Sequence, residues 1–310
     1  MATLDAEGDR LISMAWAPRT LQTYEVGMSN FRAFRITTGC TNLMTPADAR
    51  EIIRFIALLS LKKKAPSTIT AYVAAISNWH KTNSFEDPCT NFLVKKALKG
   101  GARQTACTTL REPITLQLLQ ELITALKPVC SSAYEYSMLK CAFLLAFFGL
   151  FRIGEFVSDT KYRAQRSVIM INDIAVKTGF VKITVRFSKT DQLGEGTAIV
   201  LKGQKDSPLC PVEATMEFAK IRGNQPGPLL MHFNGTFLSR YQFNQILAAA
   251  LRLTRTQVKN VKAHSFRIGG ATNAMFKGVP YEKIQEMGRW KSNAAKRYIR
   301  QVDINVSTLI

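Results

Sequence analysis

The sequence predicts a mainly α-helical protein with one small antiparallel β-sheet, folded as two domains. Three observations carry that prediction. Apolar residues recur at helical spacing along most of the chain, whereas period-two alternation is confined to residues 167–201. The length of 310 residues is enough for two separate cores. The stretch Gly100 to Leu110, GGARQTACTTL, has two glycines, small polar residues and no periodicity, and it predicts a linker. The expected domains are therefore 1–106 and 107–310.

Leu21, Tyr24, Met28, Phe31 and Phe34 place one helix over Pro18 to Arg35. A second, Pro46 to Leu61, turns Ile52, Ile53, Phe55, Ile56 and Leu59 inward. Pro66 is expected to end it, and Ser67 or Thr68 to cap a third helix reaching Trp79. A fourth covers Asn91 to Leu98. Trp79 and His80 are expected at the edge of this core. Two basic clusters, Lys62, Lys63 and Lys64, then Lys95, Lys96, Lys99 and Arg103, are candidate phosphate contacts.

After the linker, Thr115 can cap a helix carrying Gln117 to Leu126. Tyr134 to Phe148 is so apolar that it reads as a buried helix, and Arg152 follows it closely. Burying an unpaired charge is costly, so Arg152 must meet an acid or an anionic ligand, and Glu155 stands three places on. A G-x-x-x-x-G spans Gly149 to Gly154, but Glu155 and Phe156 stand where a phosphate-binding loop needs Lys and Ser or Thr, which excludes nucleotide binding there. Strand patterns follow at Ser167 to Val176, Phe180 to Phe187 and Thr197 to Leu201, with Lys189 in the turn before the third. Pro211 to Ile221 and Ser239 to Leu253 read as scaffold helices, and His232 as a packed histidine without a metal partner.

The formal net charge is +20. Residues 1–111 hold 15 Lys and Arg against 8 Asp and Glu, and the remainder holds 27 against 14, so both halves are basic. That balance predicts a polyanionic partner, most simply nucleic acid, bound by both domains. Six scattered cysteines form no C-x-x-C and have no His at zinc spacing, so they are expected as thiols in a reducing compartment, with no metal centre. An acidic amino terminus and the lack of a long apolar run predict an intracellular protein with no signal peptide or membrane span.

The chemistry concentrates in residues 263–300, AHSFRIGGATNAMFKGVPYEKIQEMGRWKSNAAKRYIR. His264 and Arg267 share one helical face and suit a phosphate: the guanidinium fork fits its oxygens, and the imidazole can exchange a proton. Trp290 follows, then Tyr298, whose phenol is available as an oxygen nucleophile. Each also has a structural role open to it: His264 as a cap, Trp290 as a core aromatic after the Gly288 turn, and Tyr298 as one stripe residue of a last helix with Ala294 and Val302.

The order His-x-x-Arg, Trp, Tyr, with Arg152 and Lys189 upstream, resembles the tyrosine recombinases, also called the phage integrase family. Trp in place of the commoner His at the third position is most like Cre recombinase and the recombinases of some eukaryotic mobile elements. The resemblance implies a small helical core-binding domain ahead of a catalytic domain, the two forming a clamp on double-stranded DNA. It implies that Arg152, supported by Glu155, joins Arg267, His264 and Trp290 on the scissile phosphate. It further implies that Tyr298 is the nucleophile and that Lys189 protonates the leaving 5′-oxygen, without metal or nucleotide cofactor. Assembly as a homotetramer on two DNA sites is implied too, with the apolar tail Val302, Ile304, Val306, Leu309 and Ile310 passed to a neighbouring subunit. A type IB topoisomerase and a domesticated, non-enzymatic DNA-binding protein remain as alternatives. A metal nuclease needs clustered carboxylates, and no such cluster stands out.

Overall fold

The computed structural model describes residues 2–40, 42–104, 111–188, 191, 193–204, 207–291 and 293–300. The chain divides into two compact units, Met1–Thr109 and Leu110–Ile310.

The first unit is helical: α1 (Ala2–Met14), α2 (Pro18–Thr37), α3 (Ala49–Leu61), α4 (Pro66–Thr82) and α5 (Phe92–Gln104). The apolar stripes meet in one core, with Phe31, Phe34, Ile52, Phe55, Ile76 and Val94 at its centre. Asp48 starts α3 by accepting from the Glu51 N–H at 2.7 Å. His80 lies inside this core rather than at its edge. Its Nε2 accepts from the Ala47 N–H at 2.9 Å, which leaves Nδ1 to donate to the Ile76 carbonyl at 2.8 Å.

Two expectations need correction here. Pro66 opens α4, where its missing N–H is harmless, and no side chain caps that end. Gly100 and Gly101 are not linker but part of α5, which runs on to Gln104. Glycine costs a helix about 1 kcal/mol per residue, and the packing of Val94, Ala97 and Leu98 onto the core outweighs it. The expected boundary at 106/107 and Cys107 lie outside the described residues. Helix α1, which the periodicity did not suggest, carries Leu4, Leu11, Ile12 and Met14 on its exposed surface.

The second unit holds α6 (Leu116–Val129), α7 (Ala133–Phe148), the single turn α8 (Ile153–Phe156), α9 (Pro211–Arg222), α10 (Arg240–Leu251), α11 (His264–Phe276) and α12 (Tyr281–Met287). The strands β1 (Ile174–Lys177), β2 (Phe180–Val185) and β3 (Thr197–Lys202) form one antiparallel sheet in that order. Helix α7 is the hub. It is buried on every side from Cys141 to Phe147, as that unbroken apolar run requires. Thr115 and Ser239 cap α6 and α10 through their hydroxyls. Helix α11 reaches α7 at Gly270, where a Cβ would collide with the Phe147 carbonyl.

The first strand is shorter than the pattern from Ser167 to Val176 suggests. The Ile169 N–H goes to the Glu155 carbonyl at 2.8 Å and the Ile169 carbonyl accepts from Leu229 at 2.9 Å, so this segment joins α8 to the loop after α9 instead of entering the sheet. Only after a 3₁₀ turn at Ile171–Asp173 does pairing begin, with Ile174 opposite Ile183. Val181, Ile183 and Val185 of β2 then fill the inner face.

Candidate active site

Four segments of the second unit converge: the turn before α8, the first turn of α11, the turn after α12, and a 3₁₀ turn at Asn293–Arg297 that carries Tyr298. Helix α12 ends at Gly288, which cannot carry a side chain because the Trp290 ring lies across it. Tyr298 therefore follows a short 3₁₀ turn and does not sit on a long last helix; residues beyond 300, with the apolar tail, lie outside the described residues.

Six of the predicted residues come together. The Tyr298 ring lies 4.9 Å from that of His264 and 4.7 Å from that of Trp290, measured between centres. The Arg267 guanidinium carbon stands 4.3 Å from the centre of the Trp290 ring and 5.4 Å from that of Tyr298. Such cation–π contacts favour an ordered, charged Arg267. Arg267 is fully buried. Its Nη1 donates to the Leu150 carbonyl and its Nη2 to the Gly288 carbonyl, so it ties the two turns together.

Arg152 pairs with Glu155 through Nη1 to Oε1 at 2.9 Å, and its backbone N–H donates to Glu155 Oε2 at the same distance. The i, i+3 pair predicted from sequence therefore exists. It is shared with a residue that sequence reasoning missed. Arg289 Nη2 donates to Glu155 Oε2 at 2.7 Å, with side-chain exposures of 6% and 3%. Arg289 also donates to the carbonyls of Gly149, Leu150 and Met287 at 3.2–3.3 Å. Its own φ is +55° and that of Leu150 is +47°, conformations costing about 1–3 kcal/mol each for side chains of this size. The one local signal for it was an arginine wedged between an expected turn glycine and an aromatic.

The electrostatics follow from this crowding. Three guanidinium groups surround one buried carboxylate. Burial first, then the Arg152 and Arg289 charges, push the Arg267 pKa down to about 9, so it stays charged at neutral pH. Burial, followed by Arg111, Arg267, Arg152 and Arg300, pushes His264 down to about 4, which makes its imidazole neutral at neutral pH. Arg267 Nε, Arg289 Nε and Trp290 Nε1 are buried donors with no protein acceptor among the described residues. Donors left so cost about 1–3 kcal/mol each, and an oxyanion is the acceptor this charge would favour. Thr272, also unanticipated, bonds the Tyr298 carbonyl at 3.3 Å and the Arg300 N–H at 3.2 Å and so fixes the tyrosine segment.

Lys189 lies outside the described residues. Ser188 and Asp191, on either side of it in the chain, line one open pocket with Arg289, Trp290 and Lys291. Lys62, Lys63, Lys64, Lys95, Lys96, Lys99 and Arg103 belong to the first unit and are all solvent-exposed. His232 is satisfied by Gln242 at 2.9 Å. Among the described residues no group of three His, Cys, Asp or Glu side chains is arranged to hold a metal ion, and no helix is long and apolar enough to cross a membrane.

No family model matches the chain. It is 27% identical over 315 residues to an integrase/recombinase XerD homolog of Selenomonas ruminantium, covering 97% of this chain and 87% of the relative. Its fold is similar to that of the XerH site-specific recombinase bound to palindromic difH substrate in a post-cleavage complex. There the TM-score is 0.65 at 16% identity, over 93% of this chain and 78% of the other. A lambda integrase tetramer bound to a Holliday junction also matches, with TM-score 0.65 at 19% identity over 97% and 78% of the two chains.

Proposed function

We infer that this chain, which belongs to the tyrosine recombinase family, is a site-specific recombinase that cleaves and rejoins DNA through a 3′-phosphotyrosine. The observation that carries the reading is the imbalance of buried charge at the site: three buried or half-buried arginines, Arg152, Arg267 and Arg289, against one buried carboxylate among the described residues, that of Glu155. Such a surplus of buried positive charge suits a phosphodiester on which negative charge is building.

The Tyr298 oxygen attacks phosphorus while the bond to the 5′-oxygen breaks. The phenolic proton passes toward neutral His264, and Lys189 protonates the departing 5′-oxygen, which leaves as a hydroxyl. Arg152, Arg267 and the Trp290 indole N–H hold the non-bridging oxygens. The energy of the broken bond is kept in the tyrosyl ester, so a 5′-hydroxyl of another duplex can reseal the strand without ATP. Glu155 orients Arg152 and is not itself in contact with DNA.

In this reading double-stranded DNA meets both units. Lys62, Lys63, Lys64, Lys95, Lys96, Lys99 and Arg103 supply phosphate contacts from the core-binding domain, and a homotetramer forms on two sites. The lambda integrase tetramer on a Holliday junction supports that assembly. The Cre-like Trp290 supports integration or excision of a mobile element, inside the cell with the DNA.

The test is to incubate purified protein with DNA in excess EDTA and without ATP, then to sequence the covalently trapped fragments and the products. An adduct on Tyr298 with recombinant junctions is the expected result. Relaxed plasmid without exchange would assign a type IB topoisomerase, and binding without any adduct a non-enzymatic DNA-binding protein.

A further inference from the structure

We propose that Arg289 is a positioning residue that engages one oxygen of Glu155, so that Arg152 is held through a single nitrogen and keeps donors and charge for the DNA phosphate. The inference rests on the recombinase reading above for its consequence, but its structural content stands on contacts within the protein.

A carboxylate and a guanidinium left alone pair side-on, two N–H groups to two oxygens, which neutralises both. Here Glu155 does not do so. Its Oε1 takes Arg152 Nη1 at 2.9 Å, while Oε2 is occupied by Arg289 Nη2 at 2.7 Å and by the Arg152 backbone N–H at 2.9 Å. Arg289 is braced for this task. Three carbonyls, of Gly149, Leu150 and Met287, accept from it, and its guanidinium carbon lies 5.1 Å from the centre of the Phe151 ring. These contacts hold it in place at a backbone conformation glycine would adopt more readily. Arg152, by contrast, is 19% exposed, and its one side-chain bond to protein runs through Nη1 among the described residues. The charges add to the same conclusion. Glu155 alone would cancel Arg152, and the second guanidinium restores the surplus.

The variants are Arg289→Met, which keeps the stem and removes the charge; Arg289→Lys, which keeps charge without the fork; and the double variant Arg289→Met/Glu155→Gln. The first measurement needs no DNA: arginine side-chain NMR of the Nε–Hε and Nη–Hη signals. Arg289→Met should shift the Arg152 signals as Glu155 closes onto it side-on, with Arg289→Lys between it and wild type. The second is the rate of covalent cleavage of pre-bound DNA. Arg289→Met should slow cleavage about 100-fold with DNA affinity held within about twofold. Removing the Glu155 charge as well should recover about tenfold, since Arg152 is then no longer neutralised. A purely packing role for Arg289 would make the double variant slower than the single one.

Unchanged Arg152 signals in Arg289→Met, or no recovery in the double variant, would overturn the proposal. If Arg289→Met does not fold, Arg152 signals in Arg289→Lys identical to wild type would overturn it too. If the wild-type protein forms no adduct with DNA, the recombinase reading fails, and the NMR measurement still decides the role of Arg289.

Discussion

The His264 and Tyr298 rings meet at 4.9 Å between centres with 60° between their planes, although 33 residues separate them in the chain. In the proposed mechanism this imidazole, neutral at neutral pH, receives the proton of the phenol as the phenol becomes a nucleophile. The same pair gives the sharpest tests of the site.

Tyr298→Phe keeps the ring and its contacts with His264, Trp290 and Arg267, so folding should change by about 1 kcal/mol or less. The variant is expected to bind DNA with wild-type affinity and to form no covalent complex, as read on a denaturing gel. An adduct from Tyr298→Phe would mean that the nucleophile is another residue.

Acid should weaken the fold through His264. Its pKa is lowered on folding from 6.5 to about 4, so between these values the unfolded chain binds more protons than the folded one. The stability is fully present above pH 6.5 and falls as pH drops toward about 4. Urea midpoints at neutral pH and about pH 4.5 should therefore differ less in His264→Gln than in wild type. Equal shifts in the two proteins would place the acid sensitivity elsewhere.

Arg267→Ala removes a buried charge that ties the Leu150 and Gly288 turns and, in the proposed mechanism, stabilises the transition state. Cleavage of pre-bound DNA should fall about 100-fold to 1,000-fold. Because the turns are also loosened, a lower melting temperature is expected to accompany it. Tyr298→Phe should show no such drop, and comparing the two by calorimetry separates the scaffold role from the chemical one.

Gly270→Ala places a methyl group against the Phe147 carbonyl on the buried face of α11. Overpacking of this kind costs about 1–3 kcal/mol, visible in the urea midpoint. Gly100→Ala, where a Cβ meets nothing within 4 Å inside α5, should instead stabilise by about 0.4–1 kcal/mol.

DNA affinity should be steeply salt-dependent. If about 8 phosphates are neutralised, the slope of log K against log salt is near −7. Replacing Lys62, Lys63 and Lys64 together, all exposed in the α3–α4 turn, should flatten the slope by about 3 without changing the cleavage rate of DNA already bound.

The sequence by itself determined what depends on neighbours along the chain. The 3.6-residue stripes of α2, α3 and α6, the unbroken apolar run of α7, the alternation of Val181, Ile183 and Val185, and the cap at Thr115 all express local spacing. So does the Arg152–Glu155 pair. The ordered set Arg152, His264, Arg267, Trp290 and Tyr298 was legible as a set because the family resemblance linked positions that spacing alone could not.

Only the tertiary structure decided what depends on groups brought together from distant segments. The Ile169 backbone left the sheet because Glu155 and Leu229 offered it partners. Gly100 and Gly101 became helix because the packing of α5 outweighed their local preference. Arg289 joined the site for the same reason: its acceptors are the carboxylate of Glu155 and the carbonyls of Gly149 and Leu150, more than 130 residues earlier in the chain. A buried guanidinium takes whichever acceptors the fold places around it, and nothing in the tripeptide Gly288-Arg289-Trp290 records where those acceptors are.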